Sequence, residues 1–197
     1  MPMGELLILR HGETEWSRVR KHTGRTDLPL TPRGEEEAAA LAPRVAARHV
    51  VRAFCSPALR ARTTARLVGL GDAEPLEDLW EWDYGGYEGR TTAEIRQEIP
   101  GWAVWTHEIV PGRTPGESVE AVGARCDRVI AAARPFLAEG DVALVAHGHV
   151  LRVLAARWLG LPADHGRLFA LRTGTTCTLG FEHGREVFTS WNVPPDA

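Results

Sequence analysis

Short, nearly continuous apolar runs alternate along this chain with longer segments of helical periodicity. The first run, Leu6-Leu7-Ile8-Leu9, has no polar position, the pattern of a strand covered on both faces, and predicts a strand over 5–10. A polar stretch punctuated by Gly24 and Pro29 follows. Thr31 is then a natural N-cap, Pro32 suits the first helical position, and Glu35, Glu36 and Glu37 put negative charge in the first turns. Ala38, Leu41, Ala42 and Val45 carry this helix on to about Arg48. Residues 50–55 read as a second buried strand, 58–68 as a helix, and 74–79 as a third, short strand. Val119, Val122, Cys126, Val129, Ile130, Ala133 and Phe136 share one face of a helix over 117–137. A buried strand over 141–146, a helix over 150–159 and two strands near 175–181 and 186–191, turning at His183-Gly184, complete the pattern.

Strands that alternate with helices predict an α/β fold with a mainly parallel sheet, in one domain spanning 1–197. Residues 80–116 have no clear period and hold four of the seven tryptophans, so they read as a packed cap or lid beside the sheet. Trp102 and Trp105 read as core packing there, whereas Trp82 and Tyr84 flank Glu81 and read as pocket lining.

Composition narrows the function classes. A net charge of −3 gives no global field for nucleic acid or an acidic membrane surface, and neither is expected as a partner. No apolar run approaches a membrane span and no signal peptide opens the chain, so a cytoplasmic protein is expected. Cys55, Cys126 and Cys177 are odd in number and widely spaced, which suits small core residues rather than a disulfide framework or zinc knuckle. Lys21 is the sole lysine, so any phosphate site must be built from arginine forks.

Candidate chemistry sits at the strand exits. Arg10 and His11 end the first strand, Arg60 follows the second, Glu81 the third, and His147 ends the strand before the helix over 150–159. In a parallel sheet these exits gather at one edge, where ligands of open α/β sheets bind. Two arginine forks, two imidazoles and a carboxylic acid are what phosphoryl transfer uses when no metal ion takes part. Gly12 is expected to turn the chain and leave room for a ligand.

Four segments in this order resemble the histidine phosphatase superfamily, the phosphoglycerate mutase-like proteins. They are Leu9-Arg10-His11-Gly12-Glu13-Thr14-Glu15-Trp16; Ser56-Pro57-Ala58-Leu59-Arg60; Leu79-Trp80-Glu81-Trp82-Asp83-Tyr84-Gly85 with Tyr87-Glu88-Gly89; and Val145-Ala146-His147-Gly148. The resemblance implies a three-layer sandwich around the sheet, and catalysis by Arg10, His11, Arg60, Glu81 and His147. His11 would become phosphohistidine, Arg10, Arg60 and His147 would hold phosphoryl oxygens, and Glu81 would serve as acid and then as base. It also implies phosphate or substrate contacts from Ser17, Thr23 and Gly24, with Tyr84 and Gly148 beside the pocket. Ser17 stands where the family often has asparagine.

Within the superfamily the aromatic segment is similar to short acid phosphatases and sugar phosphatases. Cofactor-dependent mutases carry an arginine after the catalytic glutamate, a lysine and an arginine pair; here Trp82 follows Glu81, and residues 80–116 hold no lysine and no Arg-Arg pair. Hydrolysis of a small phosphorylated metabolite, with no cofactor and no metal, is therefore the expectation, and phosphoglycerate mutase activity the alternative. His107 and Arg113 are further candidates to reach the leaving group. Two rivals come from other classes: a metal hydrolase using His147 and His149, and a phospho-ligand binding module without chemistry. Exposed apolar surface would be compatible with a homodimer.

Overall fold

The computed structural model describes residues 3–195. Its sheet has six strands in the order β3-β2-β4-β1-β5-β6: β1 (Leu6–Arg10), β2 (Val50–Cys55), β3 (Glu74–Pro75), β4 (Asp141–Ala146), β5 (Thr176–Glu182) and β6 (Arg185–Val193). The first four in that order, β3 to β1, run parallel, and β5 and β6 add an antiparallel edge. The fold is thus the α/β sandwich with a mainly parallel sheet.

Period-2 alternation along the central strands sends successive side chains into two cores. Leu6, Ile8, Val142, Leu144 and Ala146 enter one, together with α6 (Val119–Ala133) and α7 (Gly148–Trp158). Leu7, Leu9, Ala143 and Val145 enter the other, against α2 (Pro32–Ala40), α3 (Ala42–Ala46) and α4 (Leu59–Leu67). Both faces are covered, which is why β1 and β4 carry no polar side chain in their interiors. Truncating Leu7 or Leu9 to alanine is the kind of change that costs about 2–5 kcal/mol.

Local signals explain most element ends. The Thr31 side chain accepts the Gly34 N–H at 3.0 Å, as an N-cap should. The helix expected to run to Arg48 breaks into α2 and α3 because Pro43 has no N–H for the Ala39 carbonyl, and its ring crowds that turn. The third strand shrinks to Glu74–Pro75 for the same reason: Pro75 cannot donate to a ladder, and Glu77–Leu79 coils into a 3-10 turn. The hairpin turn between β5 and β6 has both His183 and Gly184 at positive φ, as a two-residue hairpin loop requires.

The remaining short helices are α1 (Glu15–Arg18) and α5 (Thr92–Glu98). The second was not expected, although Thr91 and Glu94 form a capping box that marks its start. It lies in the aromatic segment, which is a packed part of the fold: Trp82, Tyr84, Tyr87, Ile95 and Trp102 all belong to the core shared with α6 and α7. No helix among the described residues is long and apolar enough to cross a membrane.

Candidate active site

The parallel register of β1 and β4 pairs Arg10 with Ala146, and the His11 N–H continues the ladder to the Ala146 carbonyl at 3.0 Å. His11 and His147 therefore leave neighbouring strands side by side, with ring centroids 5.1 Å apart. The His11 Nδ1 lies 2.7 Å from the Gly12 carbonyl oxygen, which can only accept, so Nδ1 carries the proton and Nε2 keeps its lone pair. Burial, then the charges of Arg60 and Arg10, hold the His11 pKa well below its ordinary value. The ring is neutral at physiological pH, the state a nucleophile needs.

Around it lies a cavity of about 900 Å³ lined by Arg10, His11, Ser17, Thr23, Glu81, Tyr84, Gly148 and His149, among others. Arg10 donates through Nη1 to the Leu171 carbonyl, while its buried Nε has no partner among the described residues. A buried guanidinium N–H left open beside a nucleophile is what an oxyanion would satisfy. Gly148 makes room for it: a Cβ there would lie 3.1 Å from the Arg10 guanidinium carbon.

Glu81 caps a helix from a distance. His147 is the N-cap of α7 but makes no side-chain cap bond. The Glu81 carboxylate takes over, accepting the His149 N–H at Oε2 and the Val150 and Trp82 N–H groups at Oε1, each at 2.9 Å. Oε1 is doubly engaged and Oε2 singly, so Oε2 is the oxygen with room to hold or receive a proton.

The segment bearing Glu81 is itself clamped. Arg125 on α6 donates to the carbonyls of Asp78 and Trp80 at 2.8 and 2.5 Å and forks onto Glu117 at 2.9 and 3.1 Å. Glu117 accepts the Asp83 N–H at 2.9 Å, and its carbonyl accepts the Trp82 indole N–H at 2.9 Å. Buried Asp83 holds the Gly85 and Gly116 N–H groups and the Thr114 hydroxyl. Sequence reasoning missed this clamp, because nothing local links Arg125 to Glu81.

Arg60 and His147 are fully buried and do not line the cavity. Arg60 donates from Nε to His147 Nδ1 at 3.1 Å and from its terminal nitrogens to the carbonyls of Thr23, Gly24 and Thr26. His147 Nδ1 must therefore accept, and Nε2–H donates to Ser56 Oγ at 2.7 Å. Both were expected to hold phosphoryl oxygens; the His147 ring lies 5.1 Å from that of His11, and the nitrogens named above are bonded to protein groups.

Gly24 is likewise enclosed, with its N–H on the Glu88 carboxylate. The space at Gly12 is taken by α2 rather than by a ligand, since a Cβ there would lie 2.0 Å from the Gly34 carbonyl oxygen. Trp82 is fully buried in the core, while Trp105, expected there, lines the cavity. His107 and Arg113 do not line it. Nor do His147 and His149 form a ligand pair: they fall at the N-cap and second position of a helix, and His149 Nδ1 pairs with the Tyr84 hydroxyl at 2.5 Å. Among the described residues no group of His, Cys, Asp and Glu side chains is placed to hold a metal ion.

A sequence profile described as histidine phosphatase superfamily (branch 1) matches residues 6–194. The chain belongs to the histidine phosphatase superfamily. It is 42% identical over 181 residues to an acid phosphatase of Mycobacterium tuberculosis, covering 91% of this chain and 87% of that one. It is 31% identical over 196 residues, 97% and 91% of the two chains, to a probable phosphoglycerate mutase GpmB of Cronobacter sakazakii. The solved structure of a Mycobacterium tuberculosis open reading frame superposes with a TM-score of 0.90 at 39% identity, over 98% of each chain.

Folding disturbs four histidines. His11, His147 and His149 are held well below their ordinary pKa by burial and nearby arginines, and burial pushes His22 down to about 4. Below about pH 6.5 the unfolded chain takes up protons that the folded one refuses, so stability is lost as pH falls toward 4. His22 alone accounts for about 3 kcal/mol over that interval. Urea unfolding should show a clear drop in midpoint between about pH 7 and about pH 5, and His22→Gln should lessen it without removing it, since three other histidines contribute.

Proposed function

We propose that this protein hydrolyses phosphomonoesters of small metabolites through a phosphohistidine on His11, without a metal ion or organic cofactor. One observation carries the reading: a neutral imidazole, its Nδ1–H on a backbone carbonyl, shares a cavity lining with an oriented carboxyl and with Arg10, whose buried Nε has no partner among the described residues. In the first step His11 Nε2 attacks phosphorus, the P–O bond to the alcohol breaks, and Glu81 gives its proton to the leaving oxygen. In the second, the Glu81 carboxylate takes a proton from water as its oxygen attacks phosphorus. The P–N bond then breaks, releasing inorganic phosphate and a neutral His11. Arg10 stabilises the equatorial oxygens in both steps, and buried Arg60 adds positive charge beneath them.

The reading is supported by an acid phosphatase relative and by Trp82 standing where an arginine would follow the glutamate in a mutase. The test is phosphate release from aryl, sugar and glycerate phosphates with EDTA present, together with acid-labile phosphoenzyme trapped on quenching. EDTA-sensitive turnover, or interconversion of phosphoglycerates faster than phosphate release, overturns it.

If the Arg125–Glu117 clamp aims Glu81, Arg125→Lys should slow alkyl phosphates by about 10-fold to 100-fold and aryl phosphates far less, because an aryl oxide leaves without a proton. The comparison of kcat/KM for the two leaving groups measures it. Equal losses would mark the clamp as purely structural.

A further inference from the structure

The chain as a whole carries a net charge of −3, yet the wall of its active-site cavity is strongly basic. Besides Arg10, the lining includes Arg20, Lys21, Arg96, Arg152 and Arg172, against the carboxylates of Glu13, Glu37 and Glu81. Those carboxylates are committed elsewhere: Glu81 to the start of α7, Glu37 to Arg33 and the Glu13 N–H, and Glu13 to the Thr31 hydroxyl. None of the five cations forms an ion pair with a carboxylate among the described residues. They come from four separate places in the chain: the stretch after α1, α5, α7 and the loop before β5. A wall of uncompensated cations is costly by self-repulsion unless an anion visits it.

Arg152 is the best prepared of the five. It sits four residues after Gly148, so it lies one helical turn along the face of α7 that packs on Arg10. Its Nε donates to the Gly166 carbonyl at 3.0 Å and its Nη2 to the Arg167 carbonyl at 3.1 Å. Its guanidinium carbon lies 4.7 Å from the centre of the Trp105 ring. The fork is thereby fixed without being neutralised, and Nη1 is left for a ligand. Pre-ordering a flexible cation in this way removes much of the entropy that binding would otherwise cost.

We propose that the substrate carries a second anionic group, a phosphate or a carboxylate, on its leaving portion, and that Arg152 binds it. Arg20, Lys21, Arg96 and Arg172 provide the attractive field at the mouth. This deepens the hydrolase reading and rests on it. It also changes what the sequence alone suggested: in place of the lysine and arginine pair absent from residues 80–116, Arg96 of that segment joins cations drawn from other elements.

The test compares kcat/KM for a hexose bisphosphate, the two matching hexose monophosphates, a phosphoglycerate and an aryl phosphate. A doubly anionic substrate should exceed the hexose monophosphates by about 100-fold, and Arg152→Gln should erase at least about 10-fold of that margin, mainly through KM. The same variant should change the aryl phosphate by less than about 3-fold, and Arg172→Ala, at an exposed position, should narrow the margin to a smaller extent. Preference for the bisphosphate identifies a second phosphate, and preference for the phosphoglycerate a carboxylate. Aryl turnover with no preference for a second anion overturns this proposal alone, as does an equal loss on all substrates in Arg152→Gln. Absence of turnover on every phosphate overturns the hydrolase reading beneath it.

Discussion

Replacing His11 with alanine is expected to lower phosphate release by at least about 10⁴-fold on every substrate and to abolish the acid-labile phosphoenzyme. The expectation follows from position. His11 Nε2 is a neutral nitrogen lone pair in the cavity, and Arg10 stands beside it with an open N–H. His147, 5.1 Å away, cannot substitute, because both of its ring nitrogens are bound by Arg60 and Ser56. The substitution removes a buried imidazole whose only protein bond is to the next residue's carbonyl, so the fold should survive. Retained burst kinetics in His11→Ala would place the nucleophile elsewhere.

Glu81→Gln is expected to separate substrates by leaving group. Alkyl phosphates should slow by about 10²-fold to 10⁴-fold, whereas an aryl phosphate should lose about 10-fold or less in its first step. Glutamine keeps the carbonyl oxygen that can accept the Val150 and Trp82 N–H groups, but it places an NH₂ where Oε2 accepts from His149. That clash of two donors should also cost about 1–3 kcal/mol of stability. A thermal melt of the variant gives the stability cost, and the slope of log kcat/KM against leaving-group pKa gives the role of the proton. An unchanged slope would remove Glu81 as the acid.

The repeating βα units, the fully buried β1 and β4, the Thr31 cap and the hairpin turn at His183-Gly184 were all legible in the sequence, because each depends on residues within a few positions of one another. So was the gathering of Arg10, His11 and Glu81 at one sheet edge, since a parallel sheet sends every strand end the same way. The misreadings have two causes. Pro43 and Pro75 were visible but were outweighed by apolar spacing that continued past them. Trp82 and Trp105 exchanged roles because which of two nearby indoles meets the core depends on how an irregular segment packs, and no period encodes that.

The local sequence determined the family, the strand and helix order, and the identity of the reactive groups, because motif chemistry and hydrophobic period act over short distances. Only the tertiary structure decided which of those groups face the cavity. Arg60 and His147 carry motif residues yet lie underneath, since their hydrogen-bond partners, Thr23, Gly24, Thr26 and Ser56, come from other strands' exits. The Arg125–Glu117 clamp and the basic wall around Arg152 were equally invisible, being assembled from residues far apart in sequence. Burial and charge act through space, and the chain's order in sequence does not record what packing brings within reach.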